Sequence, residues 1–388
     1  MKVIRVAILM DTSGSAGRLM LRGIGTYART NRHWNCQFQS PTTGNIQKLH
    51  SWRPDGVIAA VYDPAWVESL LSHGVPVVDV ADSVSASPFA IVTDDNGAVG
   101  TLAAEYLLDR GFKQLAFIGI ASEGYSAQRR DSFVRTAAAA GVLCRVHEVG
   151  HGTTDRLDYD WQTEDEALRA FIRSLPEPPV GTFASNDGRA IQFMEAGREL
   201  GLNVPDQVAV LGCDNDDLLC DLARPPLSSV VTASERVGFE AACVLDRLIA
   251  GDKTVPRETR VPPVNVITRQ SSEIMAIGDP DLARALRYIR ANAHRPFKGI
   301  EVVNEVMIAR RSLERRFTSL LGRTLHDEIQ RAHIDQAKQL LAHTDLPMPA
   351  VAERSGFGSL RTLSLVFRSE MHTTPSAYRR KHRLGIGM

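Results

Sequence analysis

The first 270 residues alternate short runs of β-branched and aliphatic residues with stretches whose apolar positions recur every three or four residues. The short runs predict buried parallel strands, and the stretches between them predict helices. The predicted strands are Val3–Met10, Asp55–Val61, Val75–Val80, Leu115–Ile120, Val180–Ala184 and Val208–Leu211. The predicted helices are Arg18–Arg29, Ala65–Leu71, Ala98–Arg110, Arg130–Ala140, Glu164–Ser174, Arg189–Leu200 and Glu235–Ala250. This order predicts an α/β fold with doubly wound parallel sheets, and its length indicates two lobes.

The C-terminal part contains two amphipathic segments that place basic or polar residues opposite an apolar stripe. The first, Ala309–Phe317, has Leu313 and Phe317 four residues apart and therefore on one helical face, and the second, Ser359–Glu370, repeats this plan. A helix of this kind can lie in a DNA groove, although a solvated surface helix is the alternative for either segment alone. The candidate DNA-binding residues are Arg310, Arg311 and Arg315 in the first segment and Ser359, Arg361, Thr362 and Arg368 in the second.

A third apolar pattern, Leu325–Leu341, connects these two segments. Its 17 residues would form a helix of roughly 25 Å, so the two flanking helices could stand about 34 Å apart, which is one turn of DNA. Before the second segment, Pro349 suits the start of a helix and Gly356 suits the turn that follows it. This punctuation predicts helix-turn-helix units.

Composition changes this picture only through the distribution of charge. The chain has 388 residues, of which 44% are hydrophobic and 23% charged, as is ordinary for a globular protein of two or three domains. Its net charge of zero hides an asymmetry: residues from Pro280 onward contain 19 Lys and Arg against 10 Asp and Glu, and the preceding residues contain 26 against 35. The basic part is the one with the arginine-bearing helices, as nucleic-acid binding requires.

The compartment follows from what the sequence lacks. The first ten residues run directly into a predicted strand, without the pattern of a signal peptide, and no apolar run approaches 18 residues. We therefore expect a cytoplasmic protein that does not associate with a membrane. The five cysteines show no CxxC spacing, which favours a reducing compartment and argues against a zinc ribbon.

Polar residues follow several predicted strands at their carboxyl ends, where doubly wound sheets bind ligands. An arginine, an asparagine and carboxylates that converge on one cleft can satisfy several hydroxyl groups, which suits a polyol such as a sugar. The candidate ligand-binding residues are Asp11, Arg129, Asn186, Asp187 and Asp214. The alternative is that each polar residue only caps a helix, and it applies most directly to Asp95, Asn186 and Asp187.

One segment matches an enzyme motif. His147–His151 reads HEVGH, the H-E-x-x-H pattern of zinc proteases, in which both histidines must share one face of a helix. Here β-branched residues precede the motif and glycines interrupt it, so the context predicts a strand that runs into a loop, and we assign no metal. The sequence also lacks GxSxG, GxxxxGK[ST] and a GxGxxG after its first strand, and we expect neither a cofactor nor catalytic residues.

The C-terminal segments resemble the AraC/XylS family of DNA-binding proteins. The matching segments are IARRSLERRF, the A..LL run at Ala337–Leu341, and VAERSGFGSLRTLSLVF...TTPSAYR. This resemblance implies an all-α tandem helix-turn-helix domain at residues 280–384. The chain departs from the family pattern at three places: Ala309 replaces a capping serine, Leu363 replaces a phenylalanine, and Ile300–Met307 is about three residues short for the supporting helix and its turn.

The N-terminal segments resemble the LacI/GalR family, which has a two-lobed, periplasmic-binding-protein-like fold. The matching segments are Ser126..Arg129...Phe133, FASND, VAVLGCDND and PPLSSV. In that family the corresponding residues hydrogen-bond the sugar, and the resemblance carries this role to Arg129, Asn186, Asp187 and Asp214. Ala16 is a departure, because relatives with this domain order tend to carry a tyrosine there.

The order of the two domains is informative, because LacI proteins carry a DNA-binding module at the N-terminus instead. A LacI-like sensor followed by an AraC-type domain resembles the family of xylose operon regulators. This resemblance implies a sensor and dimerisation domain at residues 1–270, a linker at 271–279, and an activator that binds operator DNA, a xylose-like pentose and RNA polymerase as a homodimer. We predict a sugar-responsive transcription regulator and not an enzyme. The alternative is an α/β hydrolase or another sugar-active enzyme with a C-terminal interaction module.

Overall fold

The computed structural model describes residues 3–30, 34–84, 87–149, 161–274 and 279–382. The chain divides into two compact units. Unit 1 comprises Met1–Glu105 and Gln114–Glu273, and unit 2 comprises Tyr106–Lys113 and Ile274–Met388. Of the predicted linker at 271–279, residues 275–278 lie outside the described residues, and Gln270–Ser272 forms a short 3-10 turn.

The first lobe of unit 1 is built on a six-stranded parallel sheet. Its strands are β1 (Ile4–Leu9), β2 (Trp34–Gln39), β3 (Gly56–Ala59), β4 (Val77–Asp79), β5 (Ala90–Asp94) and β11 (Glu258–Val261). They lie in the order β11-β5-β4-β3-β1-β2, and every neighbouring pair is parallel. The inner strands are buried on both faces, as their apolar runs predict, because helices cover the sheet.

The second lobe has a six-stranded sheet of similar design. Its strands are β6 (Gln114–Ile120), β7 (Leu143–Val149), β8 (Val180–Ala184), β9 (Val208–Cys213), β10 (Ser228–Val231) and β12 (Asn265–Ile267). The order is β12-β10-β9-β8-β6-β7, and β12 is antiparallel to β10 while the other pairs are parallel. The prediction of two doubly wound lobes is confirmed, with an antiparallel strand at one edge.

The helices that follow the strands include those predicted and two more. They are α1 (Ser15–Thr30), α2 (Thr43–Trp52), α3 (Pro64–Leu71), α4 (Asn96–Leu108), α5 (Gly124–Ala139), α6 (Trp161–Arg173), α7 (Asp187–Glu199), α8 (Asp217–Leu222) and α9 (Ser234–Ile249). Helices α1 and α9 pack very closely. A Cβ atom added at Gly23 would lie only 1.9 Å from the carbonyl oxygen of Glu235. Only glycine permits this approach of two backbones.

Unit 2 is all-helical, as predicted for the C-terminal part. Its helices are α10 (Pro280–Ala291), α11 (Gly299–Val306), α12 (Arg310–Leu321), α13 (Leu325–His343), α14 (Met348–Arg354), α15 (Leu360–Met371) and α16 (Pro375–His382). One core gathers α10, α11, α12 and the start of α13, and a second core gathers the rest of α13 with α14, α15 and α16. Helix α13 is therefore shared by two helix-turn-helix units, α11–α12 and α14–α15.

The two helix-turn-helix units differ at the turn between their helices. In the first, Met307 ends α11 in the left-handed region (φ 59°), and Ala309 precedes α12 without a side-chain cap. In the second, the left-handed residues are Gly356 (φ 77°) and Gly358 (φ 67°), and the Ser359 hydroxyl caps α15 by accepting from the backbone N–H of Thr362 at 3.1 Å. The missing cap at Ala309 matches the prediction. Within the described ranges, no helix has the length and apolar content needed to cross a membrane.

Candidate functional sites

The predicted arginine of the cleft lies at the centre of a buried polar cluster in unit 1. Arg129, on α5, is 4% exposed. Its Nε donates to Asn96 Oδ1 at 2.9 Å, its Nη1 donates to the carbonyl oxygen of Ser185, and both Nη atoms lie 3.4 Å from Asp214 Oδ1. The long distance to Asp214 makes this the weakest of the contacts. This contact is therefore the one that a ligand hydroxyl would most readily replace.

Tyr125 and Asn186 extend this cluster. The Arg129 guanidinium carbon lies 4.9 Å from the centre of the Tyr125 ring, and the ring hydroxyl accepts a hydrogen bond from Asn186 Nδ2 at 3.1 Å. Asn186 Oδ1 caps α7 by accepting from the backbone N–H of Arg189 at 2.8 Å. The capping alternative is thus correct for Asn186, and the same side chain also belongs to the cluster. Asp95, in contrast, accepts from the backbone N–H of Ala98 at 2.9 Å, as a helix cap does.

Asp187 supplies a buried carboxyl group. It is 2% exposed, and its two oxygens accept from the Ser229 hydroxyl at 2.6 Å and from the backbone N–H of Asp216 at 2.7 Å. Burial, together with the charge of Asp214, raises the pKa of Asp187 to about 8. Burial likewise raises the pKa of Asp94 to about 7. The cluster therefore holds more carboxyl groups than cations, and some of its carboxyls carry a proton near neutral pH.

Asp214 is the more accessible carboxylate of this cluster, with 23% of its side chain exposed. It directly follows β9 and has a φ of 96°, and the next residue, Asn215, has a φ of 48°. Two consecutive left-handed residues are strained for side chains other than glycine, and such strain is concentrated at functional sites. Asn215 is held by Arg269, whose Nη1 donates to Asn215 Oδ1 at 2.9 Å.

Asp11 belongs to the other lobe, in the loop after β1. Its two oxygens accept from the backbone N–H and the hydroxyl of Ser13 at 2.8 and 2.9 Å. The loop is tied to the second lobe through Arg18, whose Nη1 donates to the Ser13 carbonyl at 2.6 Å and whose Nη2 donates to Asp216 Oδ2 at 2.9 Å. Since the backbone of Asp216 in turn holds Asp187, Arg18 connects the two walls of the candidate cleft.

A second bridge between the lobes involves Gln128 of α5. Its amide nitrogen donates to Asp82 Oδ2 at 3.1 Å, and its amide oxygen accepts from Arg260 Nη1 at 2.7 Å. Asp82 follows β4 and Arg260 lies in β11, so both belong to the first lobe. Neither bridge is visible in the sequence, because the partners in each bridge lie far apart in the chain and Arg18 has the appearance of an ordinary helix residue.

The candidate DNA-binding residues of the first helix-turn-helix unit lie on one exposed face. Arg310, Arg311 and Arg315 are exposed on α12, and the opposite stripe of Leu313 and Phe317 is fully buried. Arg310 forms an ion pair with Glu314 at 2.8 Å. This face and the start of α13 line a groove of about 970 Å³ that also includes Thr318, Thr324 and His326.

The second unit presents a similar face on α15. Arg361, Thr362 and Arg368 are exposed, and Leu363 and Phe367 are fully buried. Ser359 is also exposed, but its hydroxyl lies 2.8 Å from the Thr362 hydroxyl and caps the helix. Any contact of Ser359 with DNA would therefore add to a structural role.

The segment that matches the zinc-protease motif adopts the strand predicted for its first part. His147 and Glu148 lie in β7. The His147 ring stacks on Phe171 with centroids 5.0 Å apart, and Glu148 accepts from Arg130. His151 lies outside the described residues.

Three family models match the chain. The "XylR N-terminal domain" matches residues 5–90, the "Periplasmic binding protein-like domain" matches 104–272, and a "Helix-turn-helix domain" matches 302–381. The xylose operon regulatory protein of Escherichia coli K12 is 29% identical over 383 residues, which cover 97% of this chain and 96% of that protein. The protein of the same name from Haemophilus influenzae is 28% identical, with 97% and 98% covered.

A solved structure agrees with these relatives. The structure of the xylose-binding transcription activator XylR has a TM-score of 0.61 and 28% identity, and the match covers 98% of each chain. Relatives and structure thus match both units in the same order. The chain is a XylR-like, DNA-binding transcription regulator and not an enzyme, with a periplasmic-binding-protein-like domain followed by an AraC-type helix-turn-helix domain.

Proposed function

We propose that residues 1–270 of this regulator bind a neutral, xylose-like pentose and that residues 280–384 bind operator DNA under its control. The observation that carries the proposal is the buried cluster around Arg129, which lies at the carboxyl ends of the second-lobe strands. The similarity to xylose operon regulators supports xylose as the sugar. The proposed ligand-binding residues are Asp11, Arg129, Asn186, Asp187 and Asp214.

The charges of the cluster favour a neutral sugar over a sugar phosphate. Asp94 and Asp187 are each repelled by Asp214, and the cation beside Asp94 and Asp214 is Arg129, which already donates to Asn96 and Ser185. A phosphate group would meet these carboxyl groups in a site of low dielectric constant, where repulsion is strong. Sugar hydroxyl groups can instead donate to the carboxylates and accept from the guanidinium.

The exposed arginines support the DNA-binding part. Arg311 and Arg315 on α12, and Arg361 and Arg368 on α15, point away from their own cores and can reach phosphates or base edges in the major groove. The proposed DNA contacts also include Arg310, Ser359 and Thr362. Two recognition helices on one chain, α12 and α15, suit two successive segments of the major groove on one face of the duplex.

The similarity to xylose operon regulators also motivates a proposal for the assembly. We propose a cytoplasmic homodimer that associates through residues 1–270 and activates transcription by contact with RNA polymerase, with residues 271–279 as the linker. Sugar binding closes the two lobes and shifts the equilibrium between two arrangements of the dimer. The shift is limited by the difference in the affinity of the sugar for the two arrangements.

A thermal-shift experiment on the full chain tests the sugar. The panel contains xylose, other pentoses, hexoses and sugar phosphates. A sugar at 100 times its dissociation constant adds about 2.7 kcal/mol to the free energy of unfolding, which raises the melting temperature visibly. We expect a rise with xylose or a close relative, and no rise in Asp214→Ala.

The matched control is Asp217→Ala, which removes an exposed carboxylate three residues further along. This variant should keep the response of the wild type. A response that survives in Asp214→Ala would contradict the assignment of the cleft, and a response to sugar phosphates alone would contradict the neutral sugar.

A further inference from the structure

His333 lies at the junction of the two helix-turn-helix units of unit 2. It is on α13, it is 6% exposed, and its Nδ1 lies 3.0 Å from the carbonyl oxygen of Ala293, just after α10. Because a carbonyl can only accept, Nδ1 carries the proton and donates. The imidazole centre lies 5.2 Å from the Phe297 ring and 5.7 Å from the Phe357 ring. Phe297 thus lies on the side of the first helix-turn-helix unit, and Phe357 lies on the side of the second.

The backbone of the second helix-turn-helix unit approaches the same ring. Gly356 is in the left-handed region (φ 77°), and a Cβ atom added there would lie 2.1 Å from two ring atoms of His333 and 2.9 Å from the Arg295 carbonyl oxygen. Gly358 lies close to Pro296, at 3.9 Å by the same construction. The loop after α10 and the turn before α15 therefore meet over the His333 ring.

The two cores of unit 2 pack along different parts of the same helix, α13. Helix α13 gives Leu325 and Ile329 to the first core and gives Ile334, Ala337 and Leu341 to the second. His333 lies where the buried face of α13 passes from one core to the other, and it contacts one aromatic ring beside each core. Contacts inside each core fix one helix-turn-helix unit to α13, whereas a contact at this point joins the loop after α10 to the turn before α15 directly and so adds a restraint on the rotation of one unit against the other.

We propose that His333 is a positioning residue that fixes the phase between the two recognition helices α12 and α15, and so selects the spacing of the two DNA segments that they bind. The ring fills the junction, and its hydrogen bond to Ala293 fixes its orientation. Burial lowers the pKa of His333 and outweighs its backbone hydrogen bonds to Ala293 and Ser355, which act in the opposite direction, so the junction favours the neutral imidazole.

Spacing is a sensitive readout of this phase. One additional base pair moves the second segment about 3.4 Å along the duplex and about 35° around it. A rigid pair of recognition helices cannot follow both changes, but a pair with a loose junction can follow part of them. The penalty for a changed spacing therefore reports on the junction, whereas a general loss of folded protein lowers the affinity for every duplex alike.

The experiment starts from duplexes selected by the full-length protein from a random-sequence library. The spacing between the two selected segments is then changed by one base pair in each direction, and affinities are measured for the wild type and for His333→Ala. We expect the change to cost the wild type about tenfold in affinity and the variant less than about threefold. Affinity for a duplex with only one selected segment should be equal in both proteins.

His294→Ala is the matched control, because His294 lies in the same loop as Ala293 but is exposed. It should keep the spacing penalty of the wild type. If His333→Ala loses its helical circular dichroism, His333→Gln, which keeps a donor but not the ring, takes its place. An unchanged spacing penalty in the folded variant overturns the proposal, and so does a wild type that tolerates one base pair with less than twofold loss.

Discussion

The cleft of unit 1 and the exposed face of α12 in unit 2 both depend on arginines, but they hold them in opposite ways. Arg129 is buried, and its guanidinium contacts Asn96, Ser185 and Asp214 at fixed places. Arg311 and Arg315 are exposed. A buried cation stabilises one geometry and can distinguish ligands by shape, whereas exposed cations bind phosphates through a field that salt screens.

The largest expected difference between the two regions comes from removing one arginine in each. Arg129→Met should abolish sugar binding and lower the free energy of unfolding by about 3 kcal/mol, because buried acceptors lose their donor. Arg311→Ala should change that free energy by less than about 0.5 kcal/mol, yet weaken DNA binding and lower the slope of log affinity against log salt by about 1. Chemical denaturation and salt-dependent DNA titrations measure these effects, and a stable Arg129→Met would contradict the comparison.

An intermediate effect is expected from pH, since the cleft contains perturbed carboxyl groups. The raised pKa of Asp187, about 8, means that the folded protein keeps a proton that the unfolded chain loses near pH 4. The contribution of Asp187 to the free energy of unfolding is therefore fully present below pH 4 and is lost as the pH rises through 8. Asp187→Asn cannot lose the proton, so its stability should fall less between pH 5 and pH 8.5, by on the order of 1 kcal/mol.

The control for this effect is Arg311→Ala, which should follow the wild type across the same pH range. Asparagine suits the site, because its oxygen can accept from the backbone of Asp216 while its nitrogen donates to the Ser229 hydroxyl. Parallel curves of melting temperature against pH for the wild type and Asp187→Asn would show that Asp187 is ionised in the folded protein.

The smallest effect is expected from the ion pair that bridges the lobes. Its exposure is intermediate between that of the buried Arg129 and that of the exposed arginines on α12. Arg18 is 43% exposed at its side chain and Asp216 is 7% exposed. Arg18→Leu should weaken sugar binding by about threefold, because the closed arrangement loses a partly screened ion pair. The exchange Arg18→Asp with Asp216→Arg should restore part of the loss, and Arg22→Leu, one turn further along α1, should have no effect. Calorimetric titration would decide, and a loss as large in Arg22→Leu would exclude the bridge.

The strands that the sequence predicts well are those with continuous apolar runs, such as β1, β3 and β8. The unpredicted β2, Trp34–Gln39, alternates polar and apolar residues because it lies at the edge of its sheet and is partly exposed. The unpredicted α8 has six residues, too few for a helical period to be visible. In both cases, tertiary contacts define an element whose local pattern is weak.

The candidate cleft was predictable where the fold dictates position. Arg129, Asn186, Asp187 and Asp214 follow the ends of strands, and the structure gathers them in one cluster with Tyr125. The bridge from Arg18 to Asp216 joins residues 198 apart in the chain, and no local pattern indicates such a pair. The same holds for His333, whose role depends on two segments that meet only after unit 2 has folded.

The first lobe is not assembled from consecutive sequence, and this affects how the protein is made. Its outer strand β11 pairs with β5 in a register that joins Ile91 to Glu258, after the chain has built most of the second lobe. At about 5 to 20 residues per second, the ribosome needs roughly 10 to 30 s to supply this missing strand. During that interval β5 is an open sheet edge, so its backbone N–H and C=O groups stay unpaired on that side until β11 arrives.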